Sequence, residues 1–132
     1  MRAVIFTTMV LYLISNLSCS SAASGDCKKF RQGRFAYHDR KGSREFIFLR
    51  NDSTQTETEQ PSGLSSEWKI TWKNDCTYTL TLLKSDYGNI QNTGNPPSYT
   101  FEIIAVTDTY YVFKKEFSLF ESGFVDTIWI TR

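Results

Sequence analysis

The chain has 132 residues, with 15 Lys and Arg against 14 Asp and Glu, one His and three Cys. A formal net charge of +1 with no long basic run excludes the electrostatic footprint of a nucleic-acid binder. Aromatic residues make up 15% of the chain, too apolar a composition for a disordered secreted linker.

The N-terminus reads MRAVIFTTMVLYLISNLSCSSAASGDC. Arg2 is a minimal basic start, and Ala3 to Ile14 is apolar apart from Thr7 and Thr8. That run is short of the ~20 residues a helix needs to span a bilayer. Ser21-Ala22-Ala23 fits a small-x-small cleavage site, so residues 1–23 read as a signal peptide and 24–132 as one domain. A retained anchor helix is the alternative. Cys19 opens another route, because Leu17-Ser18-Cys19 has the small residue that precedes the lipidated cysteine of bacterial lipoproteins. Asn16, however, stands where that motif wants an apolar residue. On this route a lipid on Cys19 is the protein's one contact with a membrane. Removing residues 1–23 of 132 leaves 109, enough for one modest core.

From there the dominant period is two. "GRFAYHD" is a first strand at about 33–39, and "REFIFLR" a second at 44–50, with apolar residues on both faces. Gly42, in the "DRKGS" between them, suits a tight reversal. "TQTETEQ", 54–60, alternates without an apolar residue and reads as an exposed edge strand or a polar loop. Trp68, Ile70 and Trp72 then alternate with Lys69, Thr71 and Lys73; Cys76, Tyr78, Leu80 and Leu82 alternate with Thr77, Thr79 and Thr81. Alternation sends one set to a buried face and the other to solvent. With Asn74-Asp75 as turn formers, Trp68 to Leu83 is a β-hairpin. Residues 84–98 form a long loop rich in Gly, Asn and Pro. "YTFEIIAVTDT", "YYVFKKEFSLF" and "FVDTIWITR" supply the closing strands.

Seven to eight short strands with mostly short turns make an all-β fold, an antiparallel up-and-down meander. Such a chain rolls into a small barrel or half-barrel, or packs as a sandwich; a barrel removes the exposed edges by pairing the last strand with the first.

Cys27 and Cys76 remain after either processing route. An even pair in an exported chain reads as a disulfide, two unpaired thiols being the alternative. With one His and no CxxC spacing, zinc is not indicated. Nor is catalysis: His38 and Asp39 are adjacent in an extended stretch and point to opposite faces. The chain lacks GxSxG, HExxH and a phosphate-cradling glycine loop, and we expect a non-enzyme without cofactor. Carboxylates such as Glu57, Glu59, Glu67 and Glu102 are common enough to pair by chance.

Binding is the better expectation. Phe46, Phe48, Trp68, Trp72, Tyr78, Phe101 and Phe113 are candidate liners of a pocket for one small apolar ligand; Tyr111 and Trp129 extend the aromatic set. The alternative is that they fill the core, and that a monomeric accessory module meets a cell-envelope protein partner through an aromatic patch or the polar 53–60 edge. Two modification signals share one turn. Asn51-Asp52-Ser53 is a sequon, and Asp52-Ser53-Thr54 is similar to the O-glycosylation pattern of Bacteroidetes-type bacteria, which makes Asn51 and Ser53 candidates.

Two resemblances follow from these residues. "CKKFRQGRFAY", "FLRNDSTQTE" and "WKITWKNDCTYTL" resemble a family of small exported proteins of Bacteroidetes-type bacteria, across Cys27 to about Leu83. That resemblance implies a cell-envelope setting, either periplasmic or lipid-anchored, makes both cysteines part of the pattern, and implies no activity. Gly33-Arg34-Phe35, Thr107-Asp108-Thr109-Tyr110 and the final Arg132 resemble, in order, the three motifs of lipocalins, with Phe35 where tryptophan belongs and one residue inserted in the second motif. This implies a lipocalin-like meander and no particular function.

Overall fold

The computed structural model describes residues 25–88, 94–116 and 123–132. Residues 1–23, read above as a signal peptide, and with them Cys19, lie outside the described residues. A short 3-10 helix, Cys27–Phe30, precedes eight strands: β1 Gly33–His38, β2 Glu45–Arg50, β3 Thr54–Gln60, β4 Ser65–Trp72, β5 Thr77–Ser85, β6 Ser98–Val106, β7 Tyr110–Glu116 and β8 Phe124–Ile130. They pair antiparallel in sequence order and close as a barrel. The closing seam sets Phe35 opposite Ile130 and Ala36 opposite Trp129. Thr131 N extends it by donating to Arg34 O at 3.0 Å. This is the up-and-down arrangement expected from the strand count, closed rather than half-open.

The central hairpin forms as its alternation requires. Ile70, Tyr78, Leu80 and Leu82 are buried, whereas Lys69 and Thr71 face out. Asn74 shapes the turn: its Oδ1 accepts from Cys76 N at 2.9 Å, while Lys73 N donates to Thr77 O at 2.8 Å. The register shifts between Glu67 and Trp68, which pair with Lys84 and Leu82. Leu83 is the extra residue of that bulge and is turned outward. Gly42 also behaves as expected, at φ +63° in the reversal between β1 and β2, a conformation that side chains with a Cβ seldom adopt.

The 54–60 segment is a strand, but not an edge. It pairs with β2 on one side and β4 on the other. Its alternation is therefore real, and Gln55 is fully buried. A closed barrel has no edge to protect, so the polar residues of β3 need another explanation, given below.

In a meander the turns alternate between two ends. The turns β2–β3, β4–β5 and β6–β7 share one end with the 3-10 helix. That helix begins with Asp26 accepting from Lys28 N at 2.9 Å. It delivers Phe30 into the barrel, completely buried against Tyr111 and Phe35, with ring centroids at 4.8 and 6.2 Å. The Cys27–Cys76 disulfide joins the helix to the β4–β5 turn. Beside it Arg31 pairs with Asp75 at 3.2 Å and lies over the Trp72 ring.

The disulfide spans a sequence separation of 49. Chain-entropy reasoning puts a link of that length at up to about 4 kcal/mol. Urea unfolding with and without reductant checks this: the reduced protein should lose about 2–4 kcal/mol, and coincident curves would show that the link does not restrain the unfolded chain.

Candidate functional site

The inner faces of β1 to β8 divide into a plugged half and an open half. In the plugged half sits Arg50, the last residue of β2 and in phase with Phe46 and Phe48. Its side chain is buried, and four of its five N–H donors have acceptors. Nε donates to Gln55 Oε1 at 2.7 Å, Nη1 to Phe30 O at 3.0 Å, and Nη2 to the hydroxyls of Tyr78 at 3.2 Å and Tyr111 at 2.9 Å. The guanidinium also lies over the rings of Phe35 and Tyr78, 5.1 and 4.8 Å from the centroids. All four acceptors are uncharged. Burial works against the guanidinium charge, but the oxygens of Tyr111 and Tyr78 outweigh it, and the group stays protonated. Burial pushes the Tyr111 phenol well above its ordinary pKa, with Arg50 pulling the other way.

A carboxylate balances this charge at one remove. Gln55 Nε2 donates to Glu57 Oε1 at 2.7 Å. The chain Arg50–Gln55–Glu57 thus runs from the plugged half into the open half along the inner faces of β2 and β3. Desolvation raises the Glu57 pKa, opposed by the bond from Gln55 and the charges of Arg50 and Lys115. Trp68 is the cross-strand partner of Gln55. Its indole N–H lies near enough to Glu57 to favour the charged form, yet meets full hydrogen-bond geometry with no acceptor.

The open half holds a cavity of about 180 Å³. Nine aromatic side chains, with Leu80 and Ile128, contribute to its wall, and Gln55, Glu57 and Lys115 complete it. Lys115 Nζ sits 3.7 Å from the Tyr99 centroid, with Phe101 and Phe124 at 5.7 and 5.8 Å. Burial lowers its pKa, and Glu57 raises it. The cavity approaches the end where β1 turns into β2 and β3 into β4. There Tyr37 OH donates to Asp126 Oδ2 at 3.1 Å, Tyr87 OH donates to Glu59 Oε2 at 2.7 Å, and Arg44 lies 3.9 Å from Glu59.

Of the aromatic residues singled out from sequence, Phe46, Phe48, Trp68, Tyr78, Phe101 and Phe113 line this cavity. Trp72 does not. It sits near the plugged end, between Tyr78 at 4.8 Å and the Arg31 guanidinium. Tyr111 belongs to the Arg50 cluster, and Trp129 is on the outer wall against Tyr110. Asn51 and Ser53 fall in the exposed β2–β3 turn, where Asn51 Oδ1 accepts from the backbone N of Ser53 and Thr54. His38 faces solvent, and Asp39 instead organises the β1–β2 loop by accepting from Ser43 and Arg44. Arg132 is exposed; the arginine that closes this barrel's base is Arg50.

Sequence reading passed over Arg50, Gln55, Glu57 and Lys115 as site residues. The signal was present: Arg50 continues the 46, 48 phase, and Gln55 and Glu57 share a phase on β3. Among the described residues no group of His, Cys, Asp and Glu is placed to hold a metal ion. No family model matches the chain, and neither a curated protein nor a solved structure matches it.

Two outcomes follow from this geometry. Arg50→Met should destabilise by about 3–5 kcal/mol, because it strands Glu57 and four buried acceptors; Tyr78→Phe and Tyr111→Phe should each cost about 1–3 kcal/mol. Chemical denaturation of the three variants reads both. Burial and then Asp126 push the Tyr37 phenol from 10.0 up to about 12. The native state therefore holds that proton more tightly, and stability falls as pH rises from 10 to about 12. Tyr37→Phe should flatten that part of the stability profile.

Proposed function

We propose that this protein is an exported, non-catalytic binding module of the cell envelope, and that it takes one small, mostly apolar ligand in the open half of its barrel. The observation that carries this reading is the cavity itself: a space of about 180 Å³ walled largely by aromatic rings. A dry apolar cavity of roughly 150 Å³ accepts a benzene-sized guest. The space therefore suits a single ring with a small substituent and is below the ~300 Å³ from which drug-sized pockets begin. The Cys27–Cys76 link supports an oxidising compartment, and no helix among the described residues is long and apolar enough to cross a membrane. Cleavage after Ala23, or lipidation at Cys19, would place the domain in the periplasm, outside the cell, or on a membrane surface.

A second reading has its own observation. Ala36 pairs with Ile47 on one side and Trp129 on the other, and Leu49, Val125 and Trp129 are exposed on the same outer wall. An accessory module that docks on another envelope protein would use this wall. The polar 53–60 segment is not available for that role as an edge, because both its sides are paired.

Titration with toluene, followed by amide NMR shifts, separates the two readings. The ligand-binding reading expects saturable shifts confined to the cavity strands, weakened about tenfold or more by Leu80→Phe, which fills part of the space. Absence of saturable shifts, together with a bare mass for protein purified from its host, would leave the docking reading.

A further inference from the structure

We propose that the ligand is an uncharged ring compound presenting one hydroxyl or N–H group, and that this group donates to Glu57. The inference rests on the binding reading above and specifies the chemistry of its ligand.

An ionised carboxylate offers about four acceptor positions. Gln55 Nε2 fills one of them, on Oε1 at 2.7 Å. Gln55 cannot turn over to do anything else: its own oxygen holds Arg50 Nε at 2.7 Å, so reversing the amide would break both bonds. The relay therefore fixes where the carboxylate points. Trp68, diagonal to Glu57 on the neighbouring strand, adds a poorly aligned N–H. The remaining acceptor positions belong to a residue that lines the cavity. A half-buried carboxylate that faces an aromatic-walled cavity is short of solvation, and a donor brought there by a guest makes up part of it.

Charge selects the kind of donor. Arg50, acting through Gln55, and Lys115, across the cavity on β7, both already act on Glu57 as positive charges. An ammonium guest would be a third cation around one acid. A carboxylate guest would meet Glu57 across a few ångströms of aromatic wall, where charge repulsion is poorly screened. A neutral O–H or N–H avoids both penalties. Size then selects the body, since about 180 Å³ takes one ring.

The test compares four probes of similar size on the folded, disulfide-bonded protein at neutral pH: phenol, toluene, benzylamine and benzoate. Phenol should bind about tenfold tighter than toluene, as a hydrogen bond to a charged acceptor predicts, and tighter than either ion. In Glu57→Gln the phenol advantage should shrink to within about threefold while toluene affinity holds. Equal affinity for phenol and toluene in the unsubstituted protein would overturn this inference and leave the binding reading standing. Tightest binding by benzylamine or benzoate would overturn the claim that the ligand is uncharged. No saturable binding by any probe would overturn both. The four-probe series needs no variant to fold, so the inference stays testable if Glu57→Gln is unstable.

Discussion

A guanidinium sealed inside an eight-stranded barrel is the constraint on which the rest depends. Arg50 cannot discharge itself, so the protein must surround it with acceptors or leave a bare cation in a low-dielectric core. The four acceptors it finds come from four places: the 3-10 helix through Phe30 O, β3 through Gln55, β5 through Tyr78 and β7 through Tyr111. One side chain thereby ties the N-terminal helix to the neighbouring β3 and to two strands, β5 and β7, that are distant in sequence. A substitution that relaxes any of these elements strands a buried charge, which is why this cluster makes a stiff base.

The same constraint shapes the other half of the molecule. Arg50 needs a counter-charge, and the chain supplies it through an amide rather than by direct contact. Gln55 passes the charge along β3 to Glu57, whose carboxylate then falls among aromatic rings at the cavity wall. The closed base and the polar group of the open half are thus parts of one arrangement. Lys115 balances Glu57 from the opposite strand, so the cavity is aromatic, close to charge-balanced, and equipped with one oriented acceptor. The disulfide acts on the outside of the base, holding the helix that carries Phe30 against the β4–β5 turn.

How far the sequence reveals this depends on whether a feature lives within one strand or between strands. The Trp68 to Leu83 hairpin was legible because its alternation, its turn residues and its burial agree. So was an antiparallel meander of seven to eight strands; its closure was not, because that rests on the pairing of β1 with β8, the two strands farthest apart in sequence. β3 was ambiguous between strand and loop for a physical reason. Its inward residues are polar because their partners lie on β2 and in the β5–β6 connection: Arg50 for Gln55, and Tyr87 for Glu59. Polarity without a visible partner looks like solvent exposure. Trp72 misled in the opposite direction: an inward phase says that a side chain is covered, but not at which end of the barrel. Phase alone marked Arg50 as inward, but three of its four acceptors, on Phe30, Tyr78 and Tyr111, are non-local and only the folded chain brings them together.

The claim that joins base to cavity is that Glu57 is a desolvated acid whose charge is supported by the amide of Gln55. A carboxyl-carbon NMR titration of Glu57, in the unsubstituted protein and in Gln55→Leu, measures it directly. The account predicts a pKa above the ordinary glutamate range, raised further when Gln55 no longer donates. An ordinary pKa that does not respond to Gln55→Leu would mean that Glu57 is solvated and uncoupled from Arg50, and the link between the barrel's base and its cavity would fail.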